Sequence, residues 1–549
     1  MANRKPKMDR LAQLDHAHVW HPFTQMRDWL KREPIVISSG QGAVLRDSHG
    51  REYLDANSSI WTNLHGHQHP RINRAIRQQL KKIAHSSALG LANEPASLLA
   101  GKLIEVARLR SRRREEADPV EFASSRQRLQ KTFFSDDGST AMEVALKLAY
   151  EFTRRTRGPK TKPRFLSLAG AYHGDTVGAV SLGHIDLFHK AYGGLLFPTD
   201  IVMAPYCYRC PFNRAQPERA DAREYRKCNW ECVANVERRF RAQKKRGNPY
   251  AAFVFEPLMQ GAAGMIPQPK GWLRRVTEIA RAQGALLIAD EVMTGFGRTG
   301  VAPVSNQFAA QAEQKVGDRR DACPTLFASH HESVQPDFLC LAKGLTGGYL
   351  PMAATVTTKR VFDVFLGRYD EFKTFFHGHS FTGNQLGAAA ALASLEILQS
   401  RESLRSREIL QRTLTEALRS LWSLPNIGDI RQVGLVVGVE LVRDWRTRAP
   451  FTLRERAGIR VCEAMARHGV LTRPIGNVVV LMPPYCTTPK QVRRMVEVLA
   501  EAISEVFLPK VGRGEKGGAS KAKNHQHQFR VSLPFRASQT GSSVNLPQV

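Results

Sequence analysis

Four short stretches of this sequence carry side chains whose type and spacing could do chemistry. The first is ALLIADEVMTGFGRTG (285–300), where Asp290 closes an apolar run that reads as a buried strand. An unpaired buried carboxylate is costly, so an acid in that place calls for a cationic partner such as a protonated ring nitrogen. A surface acid at a strand end is the plainer alternative. The second stretch is DFLCLAKGLTGGYLP (337–351), with Lys343 directly after an apolar strand and before a glycine-rich turn. Partial desolvation there lowers the pKa of an amine and makes it a nucleophile, whereas a solvated loop lysine is the ordinary case.

The third stretch, SDDGSTAMEVALKLA (135–149), places Gly138, Ser139 and Thr140 at the opening of a strongly periodic helix. The free N–H groups and dipole of such an N-terminus suit a phosphate, although Ser139 followed by Met142 and Glu143 would also make a plain capped helix start. The fourth, AGAYHGDT (169–176), sets Tyr172 just past an apolar strand, where its ring could stack on a planar group or simply fill the core. Each signal is weak alone. Their order, and their shared position after strands, make the set specific.

The elements that must position them read as an α/β domain. Candidate strands cover 164–168, 251–255, 285–289 and 338–341, with helical patterns at 140–153 and 273–282 between them. Strands ending in polar or glycine-rich residues point to a ligand site at the carboxyl edge of a mostly parallel sheet. After about Phe381 a helix-like run, 384–399, leads to helices and short strands (434–442, 477–481) that read as a second domain. Three segments look like additions: a charged, irregular 110–130, a mixed 302–325, and a tail from Val511 whose Gly, Ser, Gln, Asn and Lys content predicts disorder.

At 549 residues with 42% hydrophobic and 24% charged residues, the chain has the composition of a soluble globular protein. It lacks an apolar run of membrane-spanning length, and no apolar segment follows its basic start, so neither a membrane helix nor a secretory signal is expected. Its 8 cysteines do not suggest a disulfide scaffold, and the cytoplasm is the expected compartment. Cys207 and Cys210 (C-x2-C) with Cys228 and Cys232 (C-x3-C) have spacing that suits a structural zinc; free or redox-labile thiols are the alternative. The net charge of +30 is out of the ordinary. Such a field favours acidic partners, but the basic stretches at 108–131 and 510–549 hold few aromatics (Phe122, Phe529 and Phe535), unlike a single-strand-binding surface, so nucleic acid is not an expected partner.

The motifs together resemble the class III pyridoxal-phosphate aminotransferases of fold type I, over about 14–508. Within that class, HVWHPFTQM (18–26), SSIWTNLHGHQHP (58–70), FFHGHSFTGNQLG (375–387) and LTRPIGNVVVLMPP (471–484) are similar to the branch that aminates 8-amino-7-oxononanoate to 7,8-diaminononanoate in biotin biosynthesis. The resemblance implies pyridoxal 5'-phosphate as cofactor and a homodimer. It also implies a large domain with a mostly parallel sheet and a smaller α+β domain. The corresponding boundaries are 1–75 and 376–508 for the small domain, 76–375 for the large one, and 509–549 for the tail. It assigns Lys343 to covalent cofactor attachment and proton shuttling, Asp290 to the ring nitrogen, and Asp137, Gly138 and Ser139 to the phosphate. Tyr172 takes the ring and substrate. Gly378, His379 and Ser380 match a loop that in the family dimer reaches the neighbouring subunit's phosphate, and Arg473 matches the arginine that holds the substrate carboxylate. Phe23, Ile60 and Trp61 fall at substrate-contact positions.

Several positions depart from the family pattern. Asp137 stands where Ser is usual and puts an anion beside a phosphate, Phe23 replaces a tyrosine, Ile60 an aromatic, and Ser380 a threonine. The amino donor implied is S-adenosylmethionine. FFHGHSFTGNQLG (375–387) and PFTQM (22–26) resemble instead the branch that takes its amino group from lysine, with Gly378-His379-Ser380 where many adenosylmethionine users have Gly-Pro-Thr and Ile60 where they have an extra aromatic; neutral drift around one shared donor is the plainer alternative. Another class III ω-aminotransferase is the nearest alternative, opposed by HPFTQM and the Arg473 motif. A nucleic-acid-binding protein on an inactive scaffold is opposed by the intact Lys343, Asp290 and Tyr172.

Overall fold

A computed structural model describes residues 9–108, 128–300 and 326–507. The sequence segment 302–325, the tail, and most of 110–130 lie outside these residues.

Seven strands form the central sheet: β1 (Leu129–Ser135), β2 (Phe165–Leu168), β3 (Asp200–Val202), β4 (Ala252–Phe255), β5 (Leu286–Asp290), β6 (Phe338–Leu341) and β7 (Ala353–Thr358). Their order is β1-β7-β6-β5-β4-β2-β3, and only β7 runs against the others. Every residue of β2, β4, β5, β6 and β7 is buried. Helices covering both faces of the sheet explain this, and also explain why the strands read as apolar runs rather than alternating ones.

The expected α/β class therefore holds, and the four strands read from sequence lie within a residue of those observed. Three strands, β1, β3 and β7, went unread. β1 carries Gln130, Lys131 and Thr132 at one sheet edge, and β3 is only three residues long at the other. β1 also corrects the reading of 110–130 as irregular throughout, since Leu129 and Gln130 begin that strand.

The helix after β1, α1 (Gly138–Arg157), extends beyond the expected 140–153 at both ends. It buries Met142, Ala145, Leu148, Ala149 and Phe152 at helical spacing. Its last turn carries Arg154, Arg155 and Arg157, which suit the negative end of the dipole. Besides a two-stranded ribbon, Met259–Gln260 with Ile266–Pro267, two further sheets accompany the large one among the described residues. Ile37–Gln41, Val44–Asp47, Glu52–Asp55 and Val470–Leu471 form one sheet in that order, the last two paired in parallel, so an early and a late segment of the chain share it. Ile427–Val433, Val436–Asp444, Val478–Leu481, Pro474–Ile475 and Ala449–Pro450 form the other.

Candidate active site

The carboxyl ends of β1, β2, β4, β5 and β6 border one cavity of about 460 Å3. Parallel register sets its floor: Asp290, the last residue of β5, lies opposite Cys340 on β6, and Lys343 follows two residues past the end of β6. Lys343 has φ 37°, a left-handed conformation that a non-glycine residue adopts only when its surroundings impose it. Its ammonium lies 5.1 Å from the Trp61 ring centroid. Burial lowers its pKa, opposed by the nearby carboxylates of Asp290, Glu256 and Asp175. A larger share of neutral, nucleophilic amine follows.

Asp290 is buried, and its carboxylate is held from two sides. His173 Nδ1 lies 2.8 Å from Oδ2, and the Val292 N–H donates to Oδ1 at 3.1 Å. The second ring nitrogen of His173 is buried without a partner among the described residues. Glu256, just past β4, accepts the N–H of Gly261 at 2.8 Å and that of Tyr172 at 3.4 Å. Burial, reinforced by the charge of Asp290, pushes its carboxyl up to about 7. The Tyr172 hydroxyl donates to Asp175 at 2.6 Å and burial raises its pKa, so the phenol stays protonated.

The first turn of α1 borders the same cavity through Asp137, Gly138 and Ser139. The helix is capped not by Ser139, as the plain alternative had it, but by Asp137, its Oδ1 accepting the Thr140 N–H at 2.9 Å. The Ser139 hydroxyl instead accepts the Asp175 N–H at 3.1 Å. Asp137, the departure that puts an anion beside the cradle, thus has its carboxylate committed to the helix. Glycine is required here: a Cβ on Gly138 would fall 2.7 Å from Val292 Cγ1, and one on Gly174 (φ +120°) 2.1 Å from Ser139 Oγ. First-turn N–H groups without intrahelical acceptors, a close backbone cradle, a buried amine and a buried acid together fit a planar phosphorylated cofactor with a basic ring nitrogen.

Trp61 reaches the cavity by an unusual route. Ser58, Ser59, Ile60 and Trp61 all have positive φ (47°, 49°, 66° and 66°), a left-handed turn costing about 1–2 kcal/mol per residue. Asp55 holds it through the Ser59 N–H and hydroxyl (3.0 and 2.9 Å), and the Ser58 hydroxyl donates to the Met482 carbonyl at 2.6 Å. The turn aims Trp61 into the cavity wall and leaves Ile60 42% exposed, outside it.

A family profile for class III aminotransferases matches residues 26–313 and 322–503. The chain belongs to that family. The adenosylmethionine-8-amino-7-oxononanoate aminotransferase of Geobacter sulfurreducens is 44% identical over 492 residues, 90% of this chain and 97% of that one. The protein of the same name from Nitratidesulfovibrio vulgaris is 44% identical over 90% of this chain and 82% of its own. Among solved structures, that of the Methanocaldococcus jannaschii protein of this name has a TM-score of 0.75 at 36% identity, covering 91% of this chain and 99% of that chain. An amine transaminase from an uncultivated Pseudomonas species, solved in its PLP-bound form, has a TM-score of 0.74 at 30% identity, covering 89% and 98%. The fold is therefore that of the pyridoxal-phosphate-dependent transferases. No described helix of this aminotransferase is long and apolar enough to cross a membrane.

Of the residues singled out in the sequence, Lys343, Asp290, Tyr172, Asp137, Gly138, Ser139 and Trp61 line one cavity of the aminotransferase. Phe23, Ile60, Arg473, Gly378, His379 and Ser380 do not. Phe23 is 58% exposed and touches the site at second hand: its ring packs edge-on against Phe188, which packs edge-on against Tyr172. His379 approaches through Asp136, a cavity residue, with its Nδ1 2.8 Å from that carboxylate. Arg473 is exposed, between Val470–Leu471 and Pro474–Ile475. Two residues of the site were missed. Glu256 closes the apolar strand AFVF as Asp290 closes LLIA, so the same signal could have found it, and His173 adjoins Tyr172 in AYHGDT.

Proposed function

We propose that this aminotransferase uses pyridoxal 5'-phosphate to convert 8-amino-7-oxononanoate to 7,8-diaminononanoate, an amino transfer of biotin biosynthesis. The observation that carries the reading is the cavity floor, where a desolvated lysine and a buried, histidine-held aspartate end adjacent parallel strands beside a helix N-terminus. The names of the relatives at 44% identity support the substrate. Fold similarity does not separate the amine transaminase from the protein of biotin biosynthesis, since their TM-scores are 0.74 and 0.75; sequence identity, 30% against 36%, favours the second.

When bound, the cofactor supplies an electron sink and carries the amino group from donor to ketone. The chain supplies everything else. Lys343 would hold the cofactor and move a proton at its Nζ, a task suited to an amine with a lowered pKa. Asp290 would favour a protonated ring nitrogen, and His173 fixes the orientation of that carboxylate. The first turn of α1 would take the phosphate, and Tyr172 and Trp61 would flank the ring and substrate. Arg473 would grip the substrate carboxylate with a guanidinium.

The same reading makes the enzyme a cytoplasmic homodimer. Leu89, Leu91, Phe376 and Phe381 are all more than half exposed, and they cluster along the segments flanking the 378–380 loop, where a partner subunit would cover them. S-adenosylmethionine is the proposed donor. Lysine is the second reading, favoured by the exposed, non-aromatic Ile60, which leaves Trp61 as the aromatic at this turn. The test is to give purified protein the keto substrate with a panel of donors and to measure the diamine. Diamine formation with adenosylmethionine supports the full reading. Formation with lysine alone transfers the donor role, and activity restricted to 4-aminobutyrate or ornithine type amines overturns the substrate.

A further inference from the structure

Between β3 and the helix Glu231–Lys245, the chain runs from 203 to 230 with one 3-10 turn, Cys207–Arg209, and one short helix, Ala222–Tyr225. Connections longer than about 12–15 residues with so little regular structure are uncommon and need anchorage of their own. This one folds back on itself. The Arg214 N–H donates to the Lys227 carbonyl at 3.0 Å, and the Lys227 N–H to Asn213 Oδ1 at 2.9 Å.

Those bonds bring Cys207 and Cys210 at one end to Cys228 and Cys232 at the other. All four line one small pocket of about 10 Å3, which Arg226 and Trp230 share. Cys207 and Cys232 are buried, Cys210 and Cys228 are half-buried, and all four are free thiols. Cys207 is close enough to the other three to feel their charge. The Arg226 guanidinium lies 3.3 Å from Cys228 Sγ and stacks 4.2 Å from the Trp230 ring centroid, so a cation is fixed beside the sulfurs.

We propose that Cys207, Cys210, Cys228 and Cys232 form a structural tetrathiolate site for one thiophilic divalent cation, zinc foremost, which staples the 203–232 excursion. The two short-spaced pairs supply a tetrahedral set, and soft sulfur ligands select zinc over magnesium or calcium. On loading, four S–H bonds lose their protons to solvent and four S–metal bonds form; no electrons are transferred. The resulting net negative charge sits beside Arg226. Among the described residues no group of three or more His, Cys, Asp or Glu is arranged to hold a metal ion. The proposal therefore requires the thiols to turn inward on loading; Cys210 and Cys228 are the two that are only half-buried. A thiol–disulfide switch fits less well, because reactive cysteines are exposed whereas Cys207 and Cys232 are buried. The site is independent of the proposed reaction.

The test uses the full chain expressed with added zinc and purified without chelator. Elemental analysis should give about one zinc per chain, and X-ray absorption should show sulfur neighbours at about 2.3 Å. Cys210→Ser and Cys228→Ser should each lower bound zinc at least tenfold while the protein still takes up pyridoxal phosphate, read by its absorption. Should either variant fail to fold, cobalt exchanged into the unaltered protein must show thiolate-to-metal charge-transfer bands. Zinc near zero in the unaltered protein, zinc unchanged in both variants, or an intact mass showing these cysteines joined as disulfides overturns the proposal.

Discussion

The floor and the rim of the aminotransferase cavity are built differently. The floor residues Lys343, Asp290, Ser139 and Tyr172 sit within a few positions of the ends of β6, β5, β1 and β2, one continuous hydrogen-bonded sheet. The rim candidates Phe23, Ile60, Arg473 and the 378–380 loop lie on four separate segments, most of them exposed. The proposed chemistry is thus placed by one sheet, whereas the side chains proposed to choose the substrate sit on separate segments. Residues on such a scaffold are held closer to productive geometry than residues on loops.

If that contrast holds, floor substitutions should strike turnover and rim substitutions should strike affinity. The largest loss is expected for Lys343→Ala, which removes both attachment and the proton shuttle; amino transfer should fall by roughly 10²–10⁴-fold or more. Single-turnover assays with pyridoxal phosphate in excess check it, and near-normal turnover would remove Lys343 from the centre of the reaction. Asp290→Asn comes next, with a loss in kcat on the order of 100-fold. Its cofactor content, measured after gel filtration, should drop much less than its rate. A parallel fall in both would make Asp290 an anchor rather than a tuner.

On the rim, Arg473→Ala should raise KM for the keto substrate by about 10–100-fold, since a hydrogen bond to a charged group contributes about 1.5–3 kcal/mol. Its exposure in the free enzyme means that the variant leaves no buried partner stranded, so kcat should move little. An unchanged KM would hand the carboxylate to another cation. The last effect leaves the reaction untouched and concerns stability. Burial pushes Glu256 up to about 7 from an ordinary 4.5, so between those values the native protein holds a proton that the unfolded chain has released. Stability therefore falls as pH rises through that window and levels off above it. Glu256→Gln should flatten the decline in urea-unfolding free energy between pH 5 and 7.5 by up to about 3 kcal/mol. A decline as steep as that of the unaltered protein would place the proton elsewhere.

The same division governs what could be read from sequence. Buried parallel strands are apolar throughout, so β2, β4, β5 and β6 stood out and the motifs at their ends could be aligned along one edge. Edge strands escaped because β1 mixes Lys131 and Thr132 into its apolar residues and β3 has too few residues to show a pattern. Asp137 as helix cap was hidden because Ser139 is also a good capping residue, and only the observed φ/ψ separates the two. Nothing local announced the left-handed turn at 58–61, which depends on Asp55 and on Met482, far along the chain. His173 was in view beside Tyr172, but its meaning lies in Asp290, on a different strand.

One feature of the frame bears on how such an enzyme tolerates change. Asp290 and the strand leading to Lys343 are neighbours in register, with Ile288 facing Phe338 and Asp290 facing Cys340. Twisting or sliding of the sheet against its helices carries both functional groups in the same direction, so drift cancels from the separation between them as a common-mode displacement does. Substitutions that shift packing around the sheet should leave that spacing almost constant, while a single insertion between Cys340 and Lys343 would shift one group and not the other.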